Sequence, residues 1–282
     1  MHLPLHIACL QTRPMPSMDE AIKEAVPKIE VAARQGAEIV FLPEYCGGLR
    51  SDGARLRPPS CDEDQHPVLS ALRAAAASNG VLINIGSIAV DGPLGKIINR
   101  GFMIDDNGAV IGRYDKIHLF DVDLSETAAY RESATVTPGS TAGLYEKPPA
   151  RIGHTICYDL RFPELFRDLA QAGAEIICCP SAFTRTTGEA HWHVLNRARA
   201  IENTYFIVSP CAVGPIDGGG ESYGHSLIVD PWGEVLADGG NETGVVHAHI
   251  DLDRVQVTAR RIPSRSLDPT YETPPILERS VA

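Results

Sequence analysis

The sequence predicts an α/β fold of four layers, an αββα sandwich in which two mixed β-sheets pack face to face and helices cover the outside. Three observations lead there. Strand-like and helix-like segments alternate as β-α-β-α-β between residues 5 and 87; turn-separated strands then interrupt, and the alternation returns after residue 150; and one apolar phrase occurs twice. GAEIVFLP at 36–43 and GAEIICCP at 173–180 agree at five of eight positions, each after a helix-like segment and each reading as a buried strand. The chain is therefore expected to build two similar halves. No linker separates them, which predicts a single domain over residues 1–282, with 260–282 as a polar tail.

The elements follow in order. LHIACLQ is an apolar run of strand length. Ser17, with Glu20 three residues on, forms a capping-box pattern ahead of AIKEAVPKIEVAARQG, where Ile22, Val26, Ile29 and Ala33 recur at helical spacing and Gly36 ends the run. Pro27 inside it predicts a kink or a later start, because proline lacks the N–H and its ring crowds the preceding turn. AEIVFLPE reads as a buried strand ending at Glu44, residues 45–65 as a loop, PVLSALRAAAASNG as a helix stopped by Gly80, and VLINIGS as a strand. DGPLG and DDNG divide residues 88–116 into antiparallel strands, with Asn107-Gly108 suited to a type I′ hairpin. RIGHTIC, AEIICCP and YFIVSPCAV are strands separated by the helices FPELFRDLAQAG, with Pro163 in its first turn, and EAHWHVLNRARAIEN. HSLIVD, EVLAD and GVVHAHID close as an antiparallel meander.

Composition narrows the function. At 44% apolar and 22% charged residues the chain reads as soluble and globular. Its net charge of -11 repels phosphate backbones and anionic lipid, so neither nucleic acid nor membrane is expected as a partner. No apolar run reaches the ~18 residues of a membrane span, and MHLPLHIACLQ lacks the basic start and long apolar middle of a secretion signal, which predicts a cytoplasmic protein. Seven cysteines without a CxxC pair read as reduced thiols.

Three reactive side chains stand at the carboxyl ends of predicted strands, where open α/β sheets bind ligands: Glu44, Lys116 and Cys157. A nearby cation favours the thiolate and a carboxylate can take its proton, so the trio makes Cys157 a candidate nucleophile for a carbonyl or nitrile carbon. Each also fits a plainer role: a buried core thiol, a solvated surface lysine, a loop acid. His154, three residues before Cys157, raises a Cys–His peptidase, but an odd offset on a strand points the two side chains to opposite faces. His191 and His193, two apart on a helix, diverge. His247 and His249 share a strand face without a third ligand. Gly218 to Gly220 lacks the flanking strand and helix of a dinucleotide fingerprint. Neither a metal nor a cofactor is expected.

Taken together, LPEY around Glu44, GRYDKIHLFDVD around Lys116 and GHTICYDLRFPEL around Cys157 resemble the three catalytic segments of the nitrilase superfamily of carbon-nitrogen hydrolases. PSAFTRTTGEAHWHVLNRARAIEN and SYGHSLIVDPWGEV extend the resemblance to the Nit branch, the deaminated glutathione amidase and omega-amidase-like proteins, over about residues 5 to 255. It implies the same αββα sandwich, a homodimer, and a cofactor-independent amidase acting on a small-molecule amide. It further implies Glu44 as general base, Lys116 as stabiliser of the oxyanion, Cys157 as nucleophile, and Glu132 as a second acid that positions Lys116 or the leaving group. Tyr158, through its N–H, is expected to help hold the oxyanion. Arg161 is a candidate anchor for a substrate carboxylate or a partner of Glu164 or Asp168, and Phe183 and Thr184 are candidates for the acyl pocket. N-carbamoyl amine or nitrile hydrolysis on the same trio, or a scaffold with an inert thiol, are the competing readings.

Overall fold

The computed structural model describes residues 4–272 except 54, 126, 127 and 268. The first half contributes β1 (Leu5–Gln11), β2 (Ile39–Phe41), β3 (Ser60–Cys61), β4 (Leu82–Asp91), β5 (Ile97–Ile104) and β6 (Val110–Asp115), with helices α1 (Met18–Arg34) and α2 (Pro67–Asn79). A hairpin follows, β7 (Asp121–Ser125) and β8 (Ala128–Arg131). The second half contributes β9 (Gly143–Lys147), β10 (Ala150–His154), β11 (Ile176–Cys178) and β12 (Phe206–Ser209), then a small hairpin of β13 (Val213–Pro215) and β14 (Glu221–Tyr223). β15 (Leu227–Val229) and β16 (Val235–Asp238) complete it, with α3 (Pro163–Gln171) and α4 (Arg185–Asn203) between strands. β17 (Gly244–Ile250) and α5 (Asp253–Arg261) come last.

One sheet runs β17-β1-β2-β4-β5-β6, with β3 beside β4, and the other runs β16-β15-β12-β11-β10-β9. Starting from β17, successive pairs are antiparallel, parallel, parallel, antiparallel, antiparallel. Starting from β9, the second sheet has the same order of pairings. The repeated phrase occupies the same place in both, since β2 and β11 are each third from that end. The halves are similar in topology as well as in sequence.

Strand alternation decides what each face buries. On β1, Ala8 and Leu10 pack with Ala25 and Ile29 of α1 and with Val68 and Leu72 of α2. Ile7 and Cys9 point the other way and join Ile152, Ile176 and Phe206 of the second sheet in a shared apolar core. Ile177 and Ile207, on the far face of that sheet, meet Leu165 and Phe166 of α3 and Trp192 and Ala200 of α4.

Where the structure departs from the sequence reading, local causes are visible. Ser17 caps α1 as expected, its Oγ accepting the Glu20 N–H and donating to Glu20 Oε2 at 2.6 Å. Pro27 does not delay the helix, which runs unbroken from Met18 to Arg34. Pro27 and Lys23 are both exposed, so the carbonyl that proline leaves free faces solvent. The hairpin between β5 and β6 is real but not type I′: the Gly108 N–H donates to the Asp105 carbonyl at 2.9 Å, and of the turn residues only Gly108 has a positive φ, 79°. Asp105 Oδ1 holds this alternative by accepting the N–H groups of Asn107 and Ala109. α4 begins at Arg185, four residues before the expected start, because Gly188 serves packing rather than breaking the helix; a Cβ there would lie 2.2 Å from Tyr223 Cγ. α5 and the two small hairpins have no counterpart in the sequence reading.

The tail from 260 is helical to Arg261 and then docks on its own chain, Ser264 Oγ donating to the Glu202 carbonyl at 2.8 Å. Residues 273–282 of that tail lie outside the described residues. Among the described residues no helix is long and apolar enough to cross a membrane.

Candidate active site

Three strand ends deliver the reactive side chains. β2 ends at Phe41, and Leu42 still donates to the Asn84 carbonyl of β4 before the chain turns at Glu44; Tyr45, with φ 52°, then donates its N–H to Ser87 Oγ. Lys116 directly follows β6, its N–H bonded to the Asn99 carbonyl of β5. Cys157 lies three residues beyond β10, at the start of a 3-10 turn (Cys157–Arg161), rather than closing the strand. Its φ is 50°, a left-handed conformation costly for a side chain with a Cβ, and its N–H donates to the Pro180 carbonyl at 2.9 Å. Gly86 lets the two halves come this close: a Cβ there would sit 2.0 Å from the Leu42 oxygen and 2.5 Å from Pro180 Cβ.

The groups converge on one ammonium. Lys116 Nζ donates to Glu44 Oε1 at 2.9 Å and to Glu132 Oε2 and Oε1 at 2.9 and 3.1 Å. Glu44 also accepts from Asn99 Nδ2 at 2.9 Å and, on Oε2, from the Ala182 N–H at 2.9 Å. Glu132 is not a surface acid: its side chain is 6% exposed, and it accepts the Phe120 N–H and the Tyr45 hydroxyl. The Cys157 side chain lines the same cavity as Glu44 and Lys116. Glu44, Lys116, Cys157 and Glu132 therefore form one buried cluster.

Two carboxylates against one ammonium leave the cluster with an excess of negative charge. Burial pushes the Cys157 thiol well above its ordinary range and Glu44 adds to this, while Lys116 opposes it. For Lys116, burial favours the neutral amine, but Glu132 and Glu44 outweigh it and hold the ammonium well above the ordinary lysine range. Burial and Glu44 thus favour the neutral thiol, with the Lys116 ammonium fixed alongside.

A cavity opens onto this cluster, lined by Glu44, Lys116, Glu132 and Cys157 together with Tyr158, Phe183 and Thr184. Arg161 is not among its lining residues. Its guanidinium lies over the rings of Phe183 and Tyr158, 5.4 and 5.9 Å from their centroids, and contacts His191 Nδ1 at 3.3 Å. His154 is no partner for Cys157. It is fully buried, bonded to Asn84 and to the Gly86 carbonyl, and burial pulls its pKa down to about 4.

Sequence reasoning missed three supports. Asn99 bridges Glu44 and Glu132, yet in the apolar strand IINRGFMI it reads as an ordinary interruption. Tyr45 stood inside the quoted LPEY phrase without a role. Asp159, two residues past Cys157, accepts the Tyr114 hydroxyl and the Ile156 N–H on Oδ2, and the His118 N–H on Oδ1, where His118 Nδ1 also sits at 2.7 Å. It ties the nucleophile's turn to the segment that follows Lys116.

The profile of the carbon-nitrogen hydrolase family matches residues 6–260. A deaminated glutathione amidase from Synechocystis is 37% identical over 93% of this chain and 97% of its own, and the human omega-amidase NIT2 is 34% identical over 91% and 92%. Among solved structures, the NitFhit protein of C. elegans superposes with a TM-score of 0.84 at 30% identity, over 95% of this chain and 66% of its longer one. Nit3 of Saccharomyces cerevisiae superposes with a TM-score of 0.81 at 26% identity, over 93% and 96%.

Proposed function

The chain belongs to the carbon-nitrogen hydrolase family, an amide-hydrolysing enzyme, and on that premise we propose that it cleaves a small linear amide through a thioester on Cys157. The observation that carries the reading is Lys116 fixed between Glu44 and Glu132 at the wall of an open cavity that Cys157 also lines.

Glu44 takes the thiol proton as sulfur attacks the amide carbon, so the thiolate forms only as it is used. The tetrahedral oxyanion is held by Lys116 and the Tyr158 N–H; one such donor is worth about 3–4 kcal/mol. Glu44 passes its proton to the departing nitrogen, ammonia leaves, and the acyl group stays on sulfur. Water, deprotonated by Glu44, then attacks the thioester, giving the acid and restoring the thiol. Glu132 and Asn99 position Lys116 and Glu44. The deaminated glutathione and omega-amide activities named for the relatives set the substrate class we assign, a small ω-amide. Phe183 and Thr184, which line the cavity, are assigned to its acyl side.

Acid-quenching the wild-type enzyme during turnover should leave an acyl group on Cys157 by peptide mass spectrometry, whereas Glu44→Gln in the same amide should form far less of it. Acylation of another cysteine, or of none while wild type turns over, would overturn the mechanism.

We also assign a homodimer and a reducing, cytoplasmic setting. All seven cysteines are free, which suits reduced surroundings. Val194 and Ile201 of α4 and Trp232 are exposed, and Arg197 Nε donates to the Gly233 carbonyl at 2.9 Å, fastening the Trp232 turn to the helix. That apolar surface suits a second copy. Trp232→Glu should shift sedimentation from dimer to monomer; a wild type that sediments as a monomer at micromolar concentration would refute the assembly.

A further inference from the structure

A second cluster lies outside the catalytic groups. His193 on α4, His225 between β14 and β15, and Asp238 at the end of β16 bring three ligand atoms within 4.8 Å of one another. Asp238 bridges the two imidazoles, Oδ1 to His225 Nδ1 at 2.9 Å and Oδ2 to His193 Nε2 at 3.0 Å. The geometry points to a binding site for a single divalent transition ion of the zinc class, held by His193 Nε2, His225 Nδ1 and an Asp238 oxygen, with the fourth position open to water.

The fit rests on donor type, spacing and support. Two imidazoles and one carboxylate are borderline ligands that favour zinc and its neighbours over magnesium or calcium. Metal–ligand bonds of about 2.0–2.1 Å put neighbouring ligand atoms in a tetrahedral site about 3.3 Å apart; the two contacts to Asp238 are a few tenths of an ångström shorter than this, and all three ligand atoms lie within 4.8 Å. Binding therefore requires the side chains to rotate into that geometry. His225 is already fixed: its N–H donates to the Gly240 carbonyl at 2.8 Å, its carbonyl accepts the Trp192 indole N–H at 2.7 Å, and its ring stacks on Tyr223 at 4.6 Å. Little ordering remains for binding to impose. The side chains of His193, His225 and Asp238 are 38%, 20% and 34% exposed, which leaves an entry path.

The ligands come from three elements, so an ion would pin α4 to the β15–β16 hairpin. This junction lies behind the cavity wall: Trp192 packs on Phe183 with ring centroids 5.0 Å apart, and Glu221, two residues before Tyr223, lines the cavity.

The test uses the full chain, stripped with chelator and titrated with Zn²⁺ or Co²⁺, with Mg²⁺ as control. Wild type and Cys157→Ala should each retain one Zn²⁺ per chain, show the visible absorption of tetrahedral Co²⁺, gain Tm with Zn²⁺, and show none of this with Mg²⁺. Supporting groups around a metal are worth about 10–100-fold in affinity, so losing a ligand in His193→Ala or Asp238→Asn should weaken binding at least tenfold and abolish the Tm gain. Both variants change half-exposed groups, so two independent substitutions read the same site. No retained ion, equal affinity in both variants, or loss of the ion in Cys157→Ala would overturn the assignment.

Discussion

Replacing Cys157 with alanine should lower kcat for amide hydrolysis by about 10⁴-fold or more, since no other group can form the covalent intermediate. The fold should survive. Glu44 loses the thiol but keeps Lys116, Asn99 and the Ala182 N–H, so no buried charge is stranded. The backbone makes a second result visible. Cys157 holds a φ of 50°, which alanine finds as costly as cysteine and glycine does not. Cys157→Gly should therefore be equally inactive yet more stable than Cys157→Ala by about 1 kcal/mol in denaturant unfolding. The reverse order would mean that the turn stores no strain.

Lys116→Met should abolish activity and also cost about 3–5 kcal/mol of stability, an effect of different origin. The side chain is 2% exposed and supplies the ammonium between Glu44 and Glu132, themselves 3% and 6% exposed. Without it, two carboxylates joined by Asn99 face each other in a water-poor site, and one must take up a proton. Adding Glu132→Gln removes one of those charges. The double variant should thus recover much of the lost stability and none of the activity. A Lys116→Met protein that unfolds within 1 kcal/mol of wild type, or a double variant no more stable than the single, would show that the ion cluster contributes little to the fold.

The phrases LPEY, GRYDK and HTICYD made Glu44, Lys116 and Cys157 legible, because each is a reactive residue within three residues of the end of a strand. Glu132 was reachable through resemblance alone; nothing in AYRESATVTPG marks a buried acid. Asn99 and Asp159 were out of reach. Their burial and partners depend on β5 and the Cys157 turn meeting segments dozens of residues away, and polar residues of either kind are common where they do nothing. Arg161 is a different case. Its place beside the nucleophile in sequence suggested a substrate contact; the 3-10 turn lays its guanidinium over the Tyr158 and Phe183 rings that line the cavity.

By itself the sequence determined the alternation of strands and helices, the duplication of the halves and the three strand ends that carry chemistry, because hydrophobic periodicity and local punctuation act over a few residues at a time. The tertiary structure alone decided the left-handed turn at Cys157, the burial of Glu132, the shared ammonium and the meeting of His193, His225 and Asp238. These depend on distances between chain segments far apart in sequence, fixed by how two sheets stack and by close approaches such as Gly86 against Leu42, and no local pattern encodes such distances.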